Sequence, residues 1–338
     1  MKNKKVVIRV DGNSKIGLGH IYRGIALAHM LKNEFDIEFI TRPDSDILPI
    51  QEVNFKHLII SPEVSLVDEP AWLKENYSVK STVIVLDGYY FDEKYQKKIK
   101  EYKFKLVYID DLVNFHQYAD VVINHSLRIK EEDYSAEPYT KFALGSDYAL
   151  LRQSFLEAAK LNRKISNFDT AFVCFGGADP LHLTEKALNA LLSFHQLEKI
   201  YVLVSKDYKL CEINKLIKTE KRIFILQNLN EKELFDTISK CNFAITSAST
   251  ILYELLAVKI PIISGYYVDN QIKYYKGIKD MKMIIYAGNL NNLDIQDYIV
   301  LIKDYLDNFN PNKIISKQQS FIDGKSGERI KKLIQEIC

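Results

Sequence analysis

Short runs of β-branched and aliphatic residues recur along the chain. A polar turn follows each run, and many then lead into a segment whose apolar positions step three or four residues apart. VVIRV (6–10), DIEFIT (36–41), residues 56–60, VIVL (83–86), LVYI (106–109) and residues 121–124 have the length and composition of strands. After the first of them Ile21, Ile25, Leu27, Ala28 and Leu31 share one helical face, and DEKYQKKIKEY is helix-like after the fourth. Strand–helix alternation of this kind predicts parallel βαβ units with right-handed crossovers. The rhythm breaks between about residues 127 and 167. It restarts at TAFVCF (170–175) and continues through KIYVLV (199–204), IFIL (223–226), FAIT (243–246) and residues 261–264. EKELFDTISKC is amphipathic, and the terminal GERIKKLIQEI should be helical.

The pattern predicts an α/β protein of two domains, which a length of 338 residues also favours. The expected boundaries are an N-terminal Rossmann-like domain at 1–150, a linker at 151–167 and a C-terminal Rossmann-like domain at 168–338. The last helix is free to pack back on the first domain. Composition removes several function classes. Lys plus Arg (46) nearly balances Asp plus Glu (44), which argues against a bulk nucleic-acid binder but leaves room for a local phosphate site. Cys174, Cys211, Cys241 and Cys338 lack the spacing of a disulfide framework or zinc knuckle, and Cys174 and Cys241 read as core residues. No apolar run approaches the ~20 residues needed to span a bilayer. Too few apolar residues precede Arg9 and Asp11 for a signal peptide, so a cytoplasmic protein without membrane insertion is expected.

Chemistry concentrates in three strand-end loops, the usual ligand position of open α/β sheets. In RVDGNSKIGLGHIYRG (9–24), Gly17 and Gly19 permit close backbone approach, and a helix starting near His20 would aim its free amides at an anion. An imidazole there can exchange a proton with a ligand. The same residues also suit a bare tight turn with His20 as a cap, and the two readings stand level on this stretch alone. FGGADP (175–180) offers Gly176 and Gly177 to a phosphate or sugar, with Asp179 as an N-cap and Pro180 at the first helical position. TSASTILYELLAVKIP (246–261) runs a strand into Ser247, Ser249 and Thr250, which suit a phosphate at a helix N-terminus. Glu254, one turn later, can accept two ribose hydroxyls or stand solvated. Asp87, Tyr89, Asp110 and Asp111 also end strands. No second ligand cluster accompanies the aspartates, so no metal is expected. His116, His125 and His182 read as surface or packing residues. P-loop, HExxH and GxSxG patterns are absent.

Taken in order, RVDGNSKIGLGHIYRGIALA, VLDGYYFD, YIDDL, ADVVINHS, YALLR, VCFGGADP and SASTILYELLAVKIP…DNQ resemble the loops of the PseG/SpsG-type UDP-sugar hydrolases over nearly the whole chain. The resemblance implies a GT-B-like fold, two Rossmann-like domains facing across a cleft whose closure would form part of catalysis. It also implies hydrolysis of a UDP-linked diacetamido-trideoxy sugar to free sugar and UDP, on a route to pseudaminic acid or a related surface glycan, with no cofactor. His20 then matches the base that activates water. Tyr89 matches the tyrosine of a D-x-Y loop, and Ser249, Glu254 and Asn270 match contacts to nucleotide, ribose and sugar or phosphate. Arg9, Asp11, Arg152 and Gln271 complete the implied substrate-binding set. One departure stands out. The family loop commonly reads DHYG, whereas this chain has Asp87-Gly88-Tyr89-Tyr90, which reshapes the sugar end of the pocket. Two other functions share the motifs: a GT-B glycosyltransferase passing the sugar to an acceptor, and a non-catalytic nucleotide-sugar-binding protein.

Overall fold

The computed structural model describes residues 4–13, 16–127, 129–176, 179–205, 208 and 211–338. The chain divides into two compact units, residues 1–153 with 325–338, and residues 154–324. In the first unit the strands are β1 (Lys5–Val10), β2 (Asp36–Thr41), β3 (Lys56–Ile59), β4 (Thr82–Asp87), β5 (Lys105–Ile109), β6 (Val121–Asn124) and β7 (Lys141–Leu144). The second unit holds β8 (Thr170–Cys174), β9 (Lys199–Leu203), β10 (Ile223–Leu226), β11 (Phe243–Ser247), β12 (Ile262–Tyr266) and β13 (Ile285–Asn289).

Each unit is built on one sheet, ordered β3-β2-β1-β4-β5-β6-β7 in the first and β10-β9-β8-β11-β12-β13 in the second. Neighbouring strands run parallel throughout. Counted from its own first strand, each sheet therefore begins with the order 3-2-1-4-5-6, and strand order reverses between β1 and β4, and between β8 and β11. Side chains at such a reversal splay apart above the carboxyl ends, which leaves room for a ligand.

Burial explains why the central strands are largely apolar. Val6, Ile8 and Val10 pack into one core while Val7 packs into another on the opposite face. The edge strands β7 and β13 are half exposed and short, and β13 includes Gly288. They have little of the apolar run that marks a central strand, and the sequence pattern does not reveal them.

The linker differs from expectation, and the last helix packs back where the sequence left it free to. The stretch 151–167 is not a free linker, because helix Gln153–Lys160 buries Phe155, Leu156 and Ala159 and belongs to the second unit from residue 154 onward. Helix Ser326–Ile337 belongs to the first unit, where Ile330, Ile334 and Ile337 join the core around Val6 and Leu27. Their i, i+4, i+7 spacing places them on a single stripe. Lys259, almost wholly buried, donates to the carbonyls of Ala158, Ala159 and Leu161 and so fastens the end of helix Gln153–Lys160 inside the second unit. Among the described residues no helix is long and apolar enough to cross a membrane.

Candidate active site

The first unit gathers its polar chemistry where β1 and β4 separate. Val10 pairs with Asp87 at the ends of these strands. After β1 the chain turns through Asn13 and Gly17, whose backbones pair, with the Gly17 N–H donating to the Asn13 carbonyl at 2.8 Å. Gly17 has φ +85°, a conformation that any Cβ would strain. Helix Gly19–Leu31 follows directly, with no side chain capping its first turn. His20 therefore stands on the first turn of a helix and faces the end of β4.

There His20 Nδ1 lies 2.7 Å from Asp87 Oδ1. Arg23, one turn along the same helix, grips both oxygens of Asp87 at 3.0 and 2.6 Å and Asp111 Oδ1 at 2.7 Å. Burial alone would raise the Asp87 carboxyl, but Arg23 and His20 outweigh it and hold the group below the usual carboxylate range. The Asp111 carboxyl is likewise held below the usual range, against its own burial and again through Arg23. An ionised carboxylate only accepts hydrogen bonds, so the proton between His20 and Asp87 belongs to Nδ1. That tautomer leaves Nε2 with its lone pair free to take a proton. Arg23 Nη2, 3.1 Å from the same Nδ1, is then a second donor turned to Asp87 rather than a partner of the ring.

Tyr89 extends the group. Its ring meets His20 edge-on at 4.9 Å, its hydroxyl reaches Asp111 Oδ2 at 3.3 Å, and about half of its surface is exposed. His125, at the end of β6, is buried in this neighbourhood, where burial and then the charge of Arg23 push it down to about 4. It is a neutral imidazole at ordinary pH. Asp87 and Asp111 stood among the smaller strand-end candidates, whereas Arg23 was not singled out and His125 was expected as a surface or packing residue. For Arg23 the local signal was its place three positions beyond His20, on the same helical face.

Arg9 and Asp11 take a different place from the one expected. Arg9 has no exposed surface, and its guanidinium donates to Glu69 at 3.0 and 3.1 Å and to Asp11 at 2.8 Å. Tyr95 adds its hydroxyl to Glu69 at 2.9 Å. Its guanidinium is enclosed and engaged by Glu69 and Asp11, as a brace between these segments. Arg152 is buried with its guanidinium 5.1 Å from the Tyr22 ring, on helix Gly19–Leu31.

In the second unit the strand reversal lies between β8 and β11, where Thr246 pairs with Cys174 and its hydroxyl donates to the Cys174 carbonyl at 2.6 Å. Gly176 follows β8 with φ +89°, and Gly177 lies outside the described residues. Asp179 is not the N-cap residue expected: helix Leu183–Leu192 has His182 at that position, and Pro180 sits in the preceding turn and not at the first helical position. The Asp179 carboxylate accepts from the Leu183 and Thr184 amides at 2.9 Å each. Its negative charge already occupies that helix end. Replacing Asp179 with alanine is expected to cost about 0.5–2 kcal/mol, read from the urea midpoint.

After β11, Ser249 leads into helix Thr250–Val258, whose first turn is capped by no side chain and carries no acid. Ser247 is wholly buried, with its hydroxyl 3.5 Å from that of Ser249. Of the two helix ends at this reversal, the one at Thr250 is the end open to an anion. Glu254 is only 4% exposed, which removes the alternative of a solvated glutamate. Gln271 is also buried and accepts the Tyr267 amide at 3.1 Å, and the Tyr267 hydroxyl donates to the Phe175 carbonyl beside Gly176. Asn270 lies in helix Asp269–Asp280, with its side chain outside the described residues. Among the described residues no group of three or more His, Cys, Asp or Glu is arranged to hold a metal ion.

A search of family models finds no match. Individual proteins do match. The chain is 30% identical over 285 residues to an uncharacterised protein of Methanocaldococcus jannaschii, covering 80% of this chain but only 57% of that longer relative. It is 29% identical over 272 residues to the UDP-2,4-diacetamido-2,4,6-trideoxy-beta-L-altropyranose hydrolase of Campylobacter jejuni, covering 79% of this chain and 93% of that protein. The spore coat polysaccharide biosynthesis protein SpsG of Bacillus subtilis is 23% identical over 338 residues, 98% of each chain. Among solved structures, MurG of Acinetobacter baumannii superposes with a TM-score of 0.66 at 12% identity, covering 98% of this chain and 99% of that one. HepE of Anabaena, solved in complex with UDP, superposes at 0.63 and 13% identity, covering 98% and 100%. These likenesses show the GT-B fold, with parallel sheets of seven and six strands. Together the sequence relatives and the strand-end loops support a PseG/SpsG-type family for this chain.

Proposed function

We propose that the protein hydrolyses a UDP-linked sugar to the free sugar and UDP, with His20 as the base that activates water. The sequence relatives and the GT-B fold support the coarser reading, an enzyme of nucleotide-sugar processing in glycan biosynthesis. The hydrolytic step rests on one observation, the 2.7 Å contact between His20 Nδ1 and Asp87 at the strand reversal. In the reaction, water oxygen bonds to the anomeric carbon as the bond to the UDP oxygen breaks. Nε2 takes the water proton and the electron pair leaves with UDP. Diphosphate is a good leaving group, so an oriented base supplies on the order of 10²–10⁴-fold, and positioning and phosphate stabilisation supply the rest.

The second unit supports the nucleotide side of this reading. The open helix end at Ser249 and Thr250, with Ser247 and the Gly176 turn, is suited to a diphosphate, while Glu254, Asn270 and Gln271 are assigned to ribose and sugar hydroxyls. Tyr89, exposed beside His20, is assigned to the sugar. The name of the C. jejuni relative suggests a diacetamido-trideoxy sugar, as used for pseudaminic acid and related surface glycans. The test is to incubate the protein with candidate UDP-sugars, with and without an acceptor, and to follow UDP and free sugar by NMR. Release of both without an acceptor is the expected result. Acceptor-dependent release would make the protein a transferase, and binding without turnover a nucleotide-sugar-binding protein. Either would overturn the proposal.

A further inference from the structure

Asp11 collects hydrogen bonds from three strand-end segments. Arg9 Nη1 reaches it from β1 at 2.8 Å, and the Arg42 amide and Ser45 hydroxyl reach it from the segment after β2 at 2.6 and 2.8 Å. The fourth donor is the Tyr90 hydroxyl. Among the described residues it is the donor to Asp11 that comes from the loop after β4, three positions beyond Asp87. The Tyr90 ring is closely held. It lies 4.4 Å from the Phe91 ring, with the Arg9 guanidinium 5.7 Å away. It also passes so near Gly88 that a Cβ there would stand 3.0 Å from Tyr90 Cζ and 3.1 Å from Cε1. Glycine at 88 and tyrosine at 90 are thus one arrangement, because the space a side chain at 88 would need is filled by the ring two residues on.

Among the described residues the segments after β1 and β4 are tied to each other in two places, at Asp87, held by both His20 and Arg23, and at Asp11, held by Tyr90. Asp11 stands at the start of the segment that leads through Asn13 and Gly17 to His20, so the Tyr90 tie lies at the far end of that segment from Asp87. A single pin leaves a pivot, whereas two pins fix an orientation. We propose that Tyr90 is a positioning residue, a latch that acts through Asp11 to hold the His20 loop in register with Asp87. The inference deepens the role of His20 as base and rests on it for its kinetic consequence, but the structural claim is testable without turnover.

Tyr90→Phe removes the hydroxyl and keeps the ring over Gly88, while Asp11 retains its other three donors. In long-range ¹H–¹⁵N spectra the parent protein should show His20 protonated at Nδ1, and Y90F a mixture of both tautomers. For the reaction, kcat should fall roughly ten- to a hundredfold, the scale of a misplaced catalytic group, with KM unchanged. Ser45→Ala is the control, since it removes a donor to Asp11 that does not come from the β4 loop. Its tautomer and kcat should match the parent. The latch is overturned if Y90F keeps the parental tautomer, or if S45A disturbs His20 as much as Y90F does. If the tautomer shifts in Y90F but the parent hydrolyses no UDP-sugar, the latch stands and the hydrolase reading fails.

Discussion

Replacing His20 with glutamine is expected to slow UDP and sugar release by about 10²–10⁴-fold while leaving nucleotide binding intact. Glutamine keeps a polar group beside Asp87 but cannot accept the proton of an attacking water at useful strength. The binding groups assigned to the second unit are untouched, so the loss should fall on kcat. Calorimetric titration with UDP, together with a stopped assay of free sugar, separates the two quantities. A folded H20Q protein that turns over at the parental rate would remove His20 from the mechanism. Asp87 should carry a related effect through tautomer control, because Asp87→Asn no longer selects the Nδ1–H form.

The second large effect concerns stability. Arg23 is buried between two buried carboxylates, with donors 2.6 to 3.0 Å from Asp87 and 2.7 Å from Asp111. Arg23→Met keeps most of the volume but strands both negative charges in a region of low polarity. The expected cost is about 3–5 kcal/mol, the scale for removing one partner of a buried ion pair. For a unit of this size that corresponds to a melting temperature lower by roughly 6–20 °C. Calorimetry of R23M and of R23M/D111N distinguishes stranded charge from lost packing, since the double variant should recover part of the loss. Equal destabilisation of both would show that packing, not charge, dominates.

The same carboxylates set an acid limit. Asp87 and Asp111 have folded-state values below their unfolded ones, so their contribution to stability is present above about pH 4 and is lost as pH falls below it. In R23M that acid-dependent loss should shrink, because the depression comes largely from the guanidinium.

The strand–helix order of the two halves was legible because a parallel sheet covered on both faces demands apolar residues at most strand positions. VVIRV and TAFVCF announce β1 and β8 for this reason, and a glycine turn follows each. Edge strands β7 and β13 escape the same reading, since half of their surface faces outward. The amphipathic stripe of Ile330, Ile334 and Ile337 announces a buried helix, but a stripe carries no address. That it joins the core of the first unit emerged on folding, from the surface that Val6 and Leu27 leave to be covered.

The site divides along the same line. GLGH presents its histidine on local grounds, as a glycine turn opening a helix. Nothing local couples His20 to Asp87, 67 residues away, or Arg23 to Asp111, 88 residues away. Parallel crossovers bring those strand ends side by side, and low polarity there makes each charge depend on its neighbour. Arg9 shows the converse case, a residue whose motif suggests ligand contact but whose complete burial under Asp11 and Glu69 makes it a brace. Residue type and spacing were enough to nominate the loops. Which side chain faces a ligand and which holds the loop in place depends on burial and on partners distant in sequence, and both exist only once the sheet has formed.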